Sequence, residues 1–203
     1  MSSRRGWIKI CGLRSREAVE AALAADADAL GFVFAPSVRR VSTAEAKRLA
    51  ASARGKKLCV AVMQHPSVAE VLEVLASFEP DLLQTDHGDA DLLPPAARAR
   101  LLPVYRESEP LPAAPPARLL FEGKHSGSGR TADWQAARAL AVRTELLLAG
   151  GLNADNIAIA IRSVRPFGVD VSSGVESAPG IKSVQRIHEF VRAARMAFGE
   201  LTA

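Results

Sequence analysis

Two short segments, Lys9-Ile10-Cys11-Gly12 and Val169-Asp170-Val171-Ser172-Ser173-Gly174-Val175, each read as an apolar run that stops at a reactive or polar side chain followed by glycine. A β-strand that ends this way presents its last side chains to a mouth, where barrel and open-sheet enzymes keep their chemistry. Cys11 is the pointed case. Lys9 lies two residues back, on the same side of an extended strand, and its charge can hold a thiolate at Cys11. The rival reading of a lone strand-end cysteine is an inert, buried small residue, and Cys59, inside an apolar run, is read that way. Glu122 ends the run Arg118–Glu122 as its only carboxylate. Its bland reading is a solvated turn residue. Its sharper reading is a carboxylic acid of raised pKa facing Cys11 across the mouth. A thiolate that accepts a proton and an acid that donates one are the equipment of an isomerase.

Two glycine-bearing turns look like a cradle for an anion. Gly150-Gly151-Leu152-Asn153 leads into an amphipathic stretch, and Ser172-Ser173-Gly174 follows the last apolar run. Small residues let backbone N–H groups approach a phosphate, and a helix N-terminus adds a favourable dipole. Ser126-Gly127-Ser128-Gly129-Arg130 superficially suggests a P-loop but lacks the Gly-Lys-Thr end, and reads as a flexible lid. The four histidines (His65, His87, His125, His188) show no ligand spacing, so neither a metal nor a cofactor is expected.

The elements that would position these residues alternate regularly. Short Val/Ile/Leu/Phe-rich runs predict strands at 7–11, 29–34, 58–63, 81–85, 101–105, 118–122, 145–149 and 167–171. Between them, apolar residues at helical spacing follow capping residues: Ser15, Ser42 or Thr43, Ser67, Asp133 and Asn153, with a weak helix at 92–99 and a last one at 183–198. The fifth unit has lost its helix, because the run Glu109-Pro110-Leu111-Pro112-Ala113-Ala114-Pro115-Pro116 removes donors and clashes with preceding turns. Eight β-then-α units with right-handed crossovers predict one closed, parallel (β/α)₈ TIM barrel over residues 1–203. A doubly wound open sheet is the alternative; no Gly-x-Gly-x-x-Gly turn follows the first strand to support it.

Composition narrows the function classes. With 203 residues, 48% hydrophobic and 24% charged, the chain can bury a real core as one domain. No apolar run approaches the roughly 18 residues that cross a membrane. The basic start Met1–Gly6 leads into no apolar signal core, so a cytoplasmic location is expected. Two cysteines make no disulfide framework. The pI near 9.4 invites a nucleic-acid reading. However, the net charge is only +4, the arginines are spread singly, and no aromatics interleave with a basic stripe.

Together these residues resemble a known family. Lys9-Ile10-Cys11-Gly12-Leu13, Asp28–Phe34, Ser37-Val38-Arg39, Gly127-Ser128-Gly129 with Asp133-Trp134, Leu148–Asn153, and Val169–Glu176 with Pro179-Gly180 are similar, in order and over essentially the whole chain, to phosphoribosylanthranilate isomerases. The resemblance implies a (β/α)₈ barrel of tryptophan biosynthesis without cofactor or metal. Such an enzyme converts N-(5-phosphoribosyl)anthranilate by an Amadori rearrangement into 1-(2-carboxyphenylamino)-1-deoxyribulose 5-phosphate. It implies Cys11 as the base that removes the proton from sugar carbon 2, and Arg39 as the ligand of the anthranilate carboxylate. Asp170 would line the substrate site, with Gly150, Gly151, Ser172, Ser173 and Gly174 in the phosphate loops and Lys9 beside the substrate. The implied partner is a phosphorylated small molecule, bound by a monomer or, as the alternative, a dimer.

Two positions depart from the family pattern. Glu122 stands where an aspartate usually serves as general acid, ahead of a shorter lid. The fourth strand reads Gln84-Thr85-Asp86-His87-Gly88 instead of Gln-Leu-His-Gly, so either a residue is inserted or Asp86 replaces the histidine. The competing enzyme is the related histidine-pathway isomerase, which uses an aspartate in place of Cys11 and shows two similar half-barrels; no such repeat is visible here. A competitor from another class is a non-catalytic phosphate-binding barrel, with Glu122 as a mark of decay.

Overall fold

The computed structural model describes residues 6–110, 113–123 and 132–201. Eight parallel strands close on themselves in chain order: β1 (Trp7–Cys11), β2 (Ala29–Val33), β3 (Leu58–Val62), β4 (Leu82–Asp86), β5 (Leu101–Arg106), β6 (Arg118–Glu122), β7 (Glu145–Leu148) and β8 (Gly168–Val171). Pairing of β1 with β8, with Lys9 opposite Asp170, completes the ring and excludes the open sheet.

The helices start where the caps predict. Ser15 accepts from the Ala18 N–H ahead of α1 (Arg16–Ala24). Ser42 and Ser67 each form a reciprocal capping box, with Glu45 and Glu70, ahead of α2 (Thr43–Ala50) and α3 (Val68–Ser77). Asp133 accepts from two N–H groups of α5 (Trp134–Ala141). Ser183 caps α7 (Val184–Glu200). The weak helix expected at 92–99 is instead a 3₁₀ segment, His87–Leu92, and a single turn, α4 (Pro95–Arg98); Pro94 and Pro95 can only begin a helix. Among the described residues no helix lies between β5 and β6, as the prolines require.

Three details differ from expectation. β4 runs one residue later, because the Asp81 carboxylate lies before the strand and accepts from the Cys59 N–H at 2.7 Å. Asn153 does not start α6 directly. Its side chain accepts from the N–H groups of Asp155 and Asn156, and α6 begins at Ile157 (Ile157–Val164). After β8 the chain adds an antiparallel hairpin, β9 (Glu176–Ala178) and β10 (Ile181–Lys182), which the strand pattern did not reveal.

Strand alternation divides the apolar residues in two. Ile8, Ile10, Leu30, Phe32, Cys59, Leu83 and Phe121 face outward into the layer between sheet and helices, where α7 adds Phe190, Val191 and Phe198. Leu102, Val104, Leu120, Leu147 and Ala149, with Trp7 and Phe167 beside them, fill the barrel interior. Above that plug, at the strand C-termini, the inward positions turn polar: Lys9, Cys11, Gln84, Asp86 and Asp170. Cys59 sits in the outer layer and plays no part there.

Candidate active site

A cavity of about 220 Å³ opens at the strand C-termini, lined by Cys11, Arg39, Gln84, Asp86, Arg106, Glu122, Asp170 and Ser172 together with apolar Val33, Val62, Met63 and Val104. The two segments some 160 residues apart therefore feed one site, through the β1–β8 pairing.

Lys9 has no exposed surface, and its ammonium donates to Asp170 Oδ1 at 2.9 Å. Room for these side chains comes from Gly31 on the neighbouring strand β2: a Cβ there would stand 3.0 Å from both Cys11 Sγ and Lys9 Cε. Burial pulls the Lys9 pKa down, but Asp170 and then Cys11 outweigh it and raise it above the ordinary lysine value. Cys11 departs from expectation. Burial pushes its thiol pKa up; Lys9 and Lys182 oppose this without reversing it, and the Asp170 charge adds to the rise.

Arg39 comes from the loop after β2. Its Nε and Nη2 fork onto the Glu176 carboxylate at 2.7 and 2.9 Å. Its neighbour Arg40 does not line this cavity and borders two smaller pockets beside it. Lys182 Nζ donates to Glu176 Oε1 at 2.8 Å, to the Ser172 carbonyl at 2.9 Å and to Ser172 Oγ at 3.2 Å. Ser172 Oγ donates in turn to the Cys11 carbonyl at 3.2 Å. Burial alone would raise the Glu176 pKa, but Arg39 and Lys182 bring it down to about 2. Neither Glu176 nor Lys182 stood among the predicted site residues. The Pro179-Gly180 turn, with Gly180 at φ +78°, was the signal of the hairpin that carries them.

The two predicted phosphate loops meet. Gly150 and Gly151 adopt φ +90° and +62°, in the left-handed region that side chains disfavour. Ser173–Val175 forms a 3₁₀ turn, and a Cβ on Gly174 would come within 1.9 Å of the Leu152 carbonyl. Gly174 thus lets the eighth loop lie against the seventh, backbone to backbone.

On the far side, Glu122 lines the same cavity but is not in the apolar setting its strand suggested. Arg106, at the end of β5, reaches its Oε1 at 3.0 Å and also pairs with Asp86 Oδ1. Glu122 is held as an ion-paired carboxylate. Arg106 went unnoticed in the sequence, where it is simply the last residue of an apolar run. Asp86 faces the cavity, whereas His87 points away and stacks on Tyr105, ring centroids 4.2 Å apart. Ser126–Arg130, the expected lid, lies outside the described residues.

Among the described residues, His65, Asp86 and Asp89 are close enough to hold a metal ion together. Asp89, however, has both oxygens engaged, by the His65 N–H and Nδ1 and by the Thr85 hydroxyl, and Asp86 gives one oxygen to Arg106. The cluster reads as a clamp on the loop after β3.

Comparison with known proteins agrees with this arrangement. Residues 8–193 match the family model for N-(5'-phosphoribosyl)anthranilate (PRA) isomerase. The N-(5'-phosphoribosyl)anthranilate isomerase of Azorhizobium caulinodans is 39% identical, covering 94% of this chain and 92% of its own. The crystal structure of phosphoribosyl anthranilate isomerase from Thermus thermophilus superimposes with a TM-score of 0.82 at 29% identity, over 94% of this chain and 98% of that one. A further isomerase structure, in complex with reduced 1-(o-carboxyphenylamino)-1-deoxyribulose 5-phosphate, superimposes with a TM-score of 0.78 at 29% identity, over 94% and 99% of the two chains. A closed barrel with these residues at one mouth, matched along nearly its whole length, places the chain in the N-(5'-phosphoribosyl)anthranilate isomerase family.

Proposed function

We propose that this chain converts N-(5-phosphoribosyl)anthranilate to the carboxyphenylamino deoxyribulose phosphate of tryptophan biosynthesis, with Cys11 as general base and Glu122 as general acid. The observation that carries the assignment of roles is the shared cavity: Cys11, Arg39, Asp170 and Ser172 line one wall of the mouth and Glu122 another. All come from one chain, so the reading needs no second copy.

The steps follow from the groups available. Arg39 binds the anthranilate carboxylate, and the loops at Gly150-Gly151 and Ser172-Ser173-Gly174 take the phosphate. Glu122 gives a proton to the furanose ring oxygen, the bond from that oxygen to carbon 1 breaks, and the aniline nitrogen becomes part of an iminium ion. Cys11 then removes the proton from carbon 2, and the enolamine becomes the ketone as carbon 1 gains a proton and the hydroxyl on carbon 2 loses one, which returns Cys11 and Glu122 to their starting forms. Asp170 lines the cavity beside the reacting carbons, whereas Lys9, expected at the substrate, does not line it and acts through Asp170 and Cys11 from behind.

The pair needs a single proton on Glu122, with Cys11 ionised. Burial favours the thiol form of Cys11, and Arg106 favours the carboxylate form of Glu122, so the active arrangement shifts a proton between the two groups. Two features favour it once substrate is bound. Lys9 and Lys182 stabilise the thiolate, and the iminium charge adds to them once the ring has opened. Arg106 keeps a carboxylate partner in Asp86 when Glu122 takes up a proton.

The test is direct: purified protein should isomerise freshly prepared phosphoribosylanthranilate, and the gene should rescue a tryptophan auxotroph lacking this step. A folded barrel that binds the product analogue but shows no turnover would overturn the reading in favour of a phosphate-binding barrel.

A further inference from the structure

We infer that Glu176 and Lys182, the buried ion pair on the hairpin after β8, are positioning residues, each fixing one anion-binding end of the substrate site. The inference rests on the roles proposed above for Arg39 and for the loop at Ser172.

The hairpin is short, yet it places two charged side chains where charges rarely go. The Glu176 side chain is 5% exposed and that of Lys182 is 1% exposed. A buried ion pair is poor evidence of stability, since apolar residues of like volume would often serve as well. Here each member has further work. Glu176 fills the Arg39 fork with both oxygens, leaving the other guanidinium N–H groups to meet a ligand in a set direction. Arg39 also packs against the backbone at Gly12, where a Cβ would lie 2.7 Å from its Cδ. Its stem and its head are therefore both fixed.

Lys182 does the matching task at the other end. It holds the carbonyl and the hydroxyl of Ser172 together, and that hydroxyl reaches on to the Cys11 carbonyl. The ends of β8 and β1 are thus tied beneath the phosphate loop. Lys182 is also one of the charged groups facing Cys11; the others are Lys9, Asp170 and Arg39.

A purely structural pair would lower stability and weaken every ligand alike. A positioning pair separates its effects by end. Glu176→Gln should weaken anthranilate and raise KM roughly tenfold to a hundredfold, while ribose 5-phosphate binding changes less than threefold. Lys182→Met should do the reverse for the two ligands. It should also move the rising limb of the kcat/KM profile to higher pH, because a cation that favoured the thiolate is gone. If Glu176→Gln alone does not fold, the double variant Glu176→Gln/Lys182→Met removes the pair as a unit and should fold with both ligands weakened.

Arg39→Ala separates this inference from the reading beneath it. Unchanged anthranilate binding in Arg39→Ala would overturn the role of Arg39 itself. Weakened binding in Arg39→Ala, with wild-type ligand binding and pH profile in the Glu176 and Lys182 variants, would overturn the positioning pair alone. Equal loss of both ligands in each variant would do the same.

Discussion

The two walls of the catalytic mouth are built differently. On the β8–β1–β2 side every charged group has a fixed partner: Lys9 with Asp170, Arg39 with Glu176, and Lys182 with Glu176 and Ser172. On the β4–β5–β6 side Arg106 bridges two acids, Asp86 and Glu122. Gln84 Oε1, buried there, has no hydrogen-bond partner among the described residues, and Asp86 Oδ2 has only the long 3.3 Å approach of His65 Nε2 among them. The first wall is preorganised, which suits a base and an anion clamp that must not move. The second has slack in its pairing, which suits an acid that must gain and lose a proton without leaving its neighbour uncompensated.

Cys11→Ala removes the proton acceptor and leaves the surrounding pairs intact. Turnover should fall roughly a hundredfold to ten-thousandfold, with product-analogue affinity nearly unchanged. Steady-state kinetics beside a binding titration checks both halves. Turnover close to wild type would take the base away from the rigid wall and collapse the comparison.

On the slack wall, Glu122→Gln keeps the shape and loses the proton, and should lower turnover by roughly a hundredfold or more. Glu122→Asp should retain more activity than Glu122→Gln, within the limit of its shorter reach from β6. If Glu122→Gln works nearly as well as wild type while Asp86→Asn abolishes turnover, the acid is Asp86, and Arg106 holds Glu122 only as a counter-charge.

The rigid wall was the more legible of the two. Lys9, Cys11, Asp170, Ser172 and Gly174 fall in two contiguous motifs, and strand alternation alone turns their side chains inward. All eight strands were readable for a related reason: buried parallel strands are short, dense apolar runs. What sequence could not supply was pairing between distant segments. Arg39 and Glu176 are 137 residues apart, and nothing in either stretch names the other. The slack wall was harder still. Glu122 looked like a carboxylate in an apolar pocket because its own strand is apolar, while the cation that meets it arrives from β5. The burial that counteracts Lys9 at Cys11 is likewise a property of the closed barrel, invisible in the local sequence.

Gly174 tests whether rigidity on the first wall comes from close backbone contact. An alanine there would drive its Cβ to 1.9 Å from the Leu152 carbonyl, and a backbone atom cannot swing aside as a side-chain tip can. Gly174→Ala should cost about 1–3 kcal/mol of stability and weaken ribose 5-phosphate more than anthranilate. Gly88→Ala is the control on the slack wall, where a Cβ meets nothing within 4 Å. It should change neither quantity appreciably. Denaturant unfolding of the two variants side by side measures the difference, and similar losses at both glycines would remove the structural basis for calling one wall rigid.

The smallest effect belongs to His65, at the outer edge of the slack wall. Its N–H and Nδ1 both meet Asp89, at 3.1 and 3.0 Å, and its Nε2 lies 3.3 Å from Asp86 Oδ2. Hydrogen bonding to Asp89 raises its pKa above the usual 6.5, with burial opposing slightly and the charges of Asp89 and Asp86 adding to the rise. A group whose folded pKa is raised stabilises the fold when protonated. That contribution is fully present below about pH 6.5 and is lost as the pH climbs through the raised value. The ring is 69% exposed, so solvent screens the pair, and the contribution should stay under about 1 kcal/mol. His65 also sits at φ +46°, where alanine would add strain of its own. Asparagine tolerates that conformation and keeps the comparison on charge. His65→Asn should therefore be slightly less stable than wild type at pH 5.5, and the gap should close by pH 8.5. A stability gap that stayed constant across this range would show that His65 acts through its shape in the clamp, and that the slack wall carries no titration of its own near neutral pH.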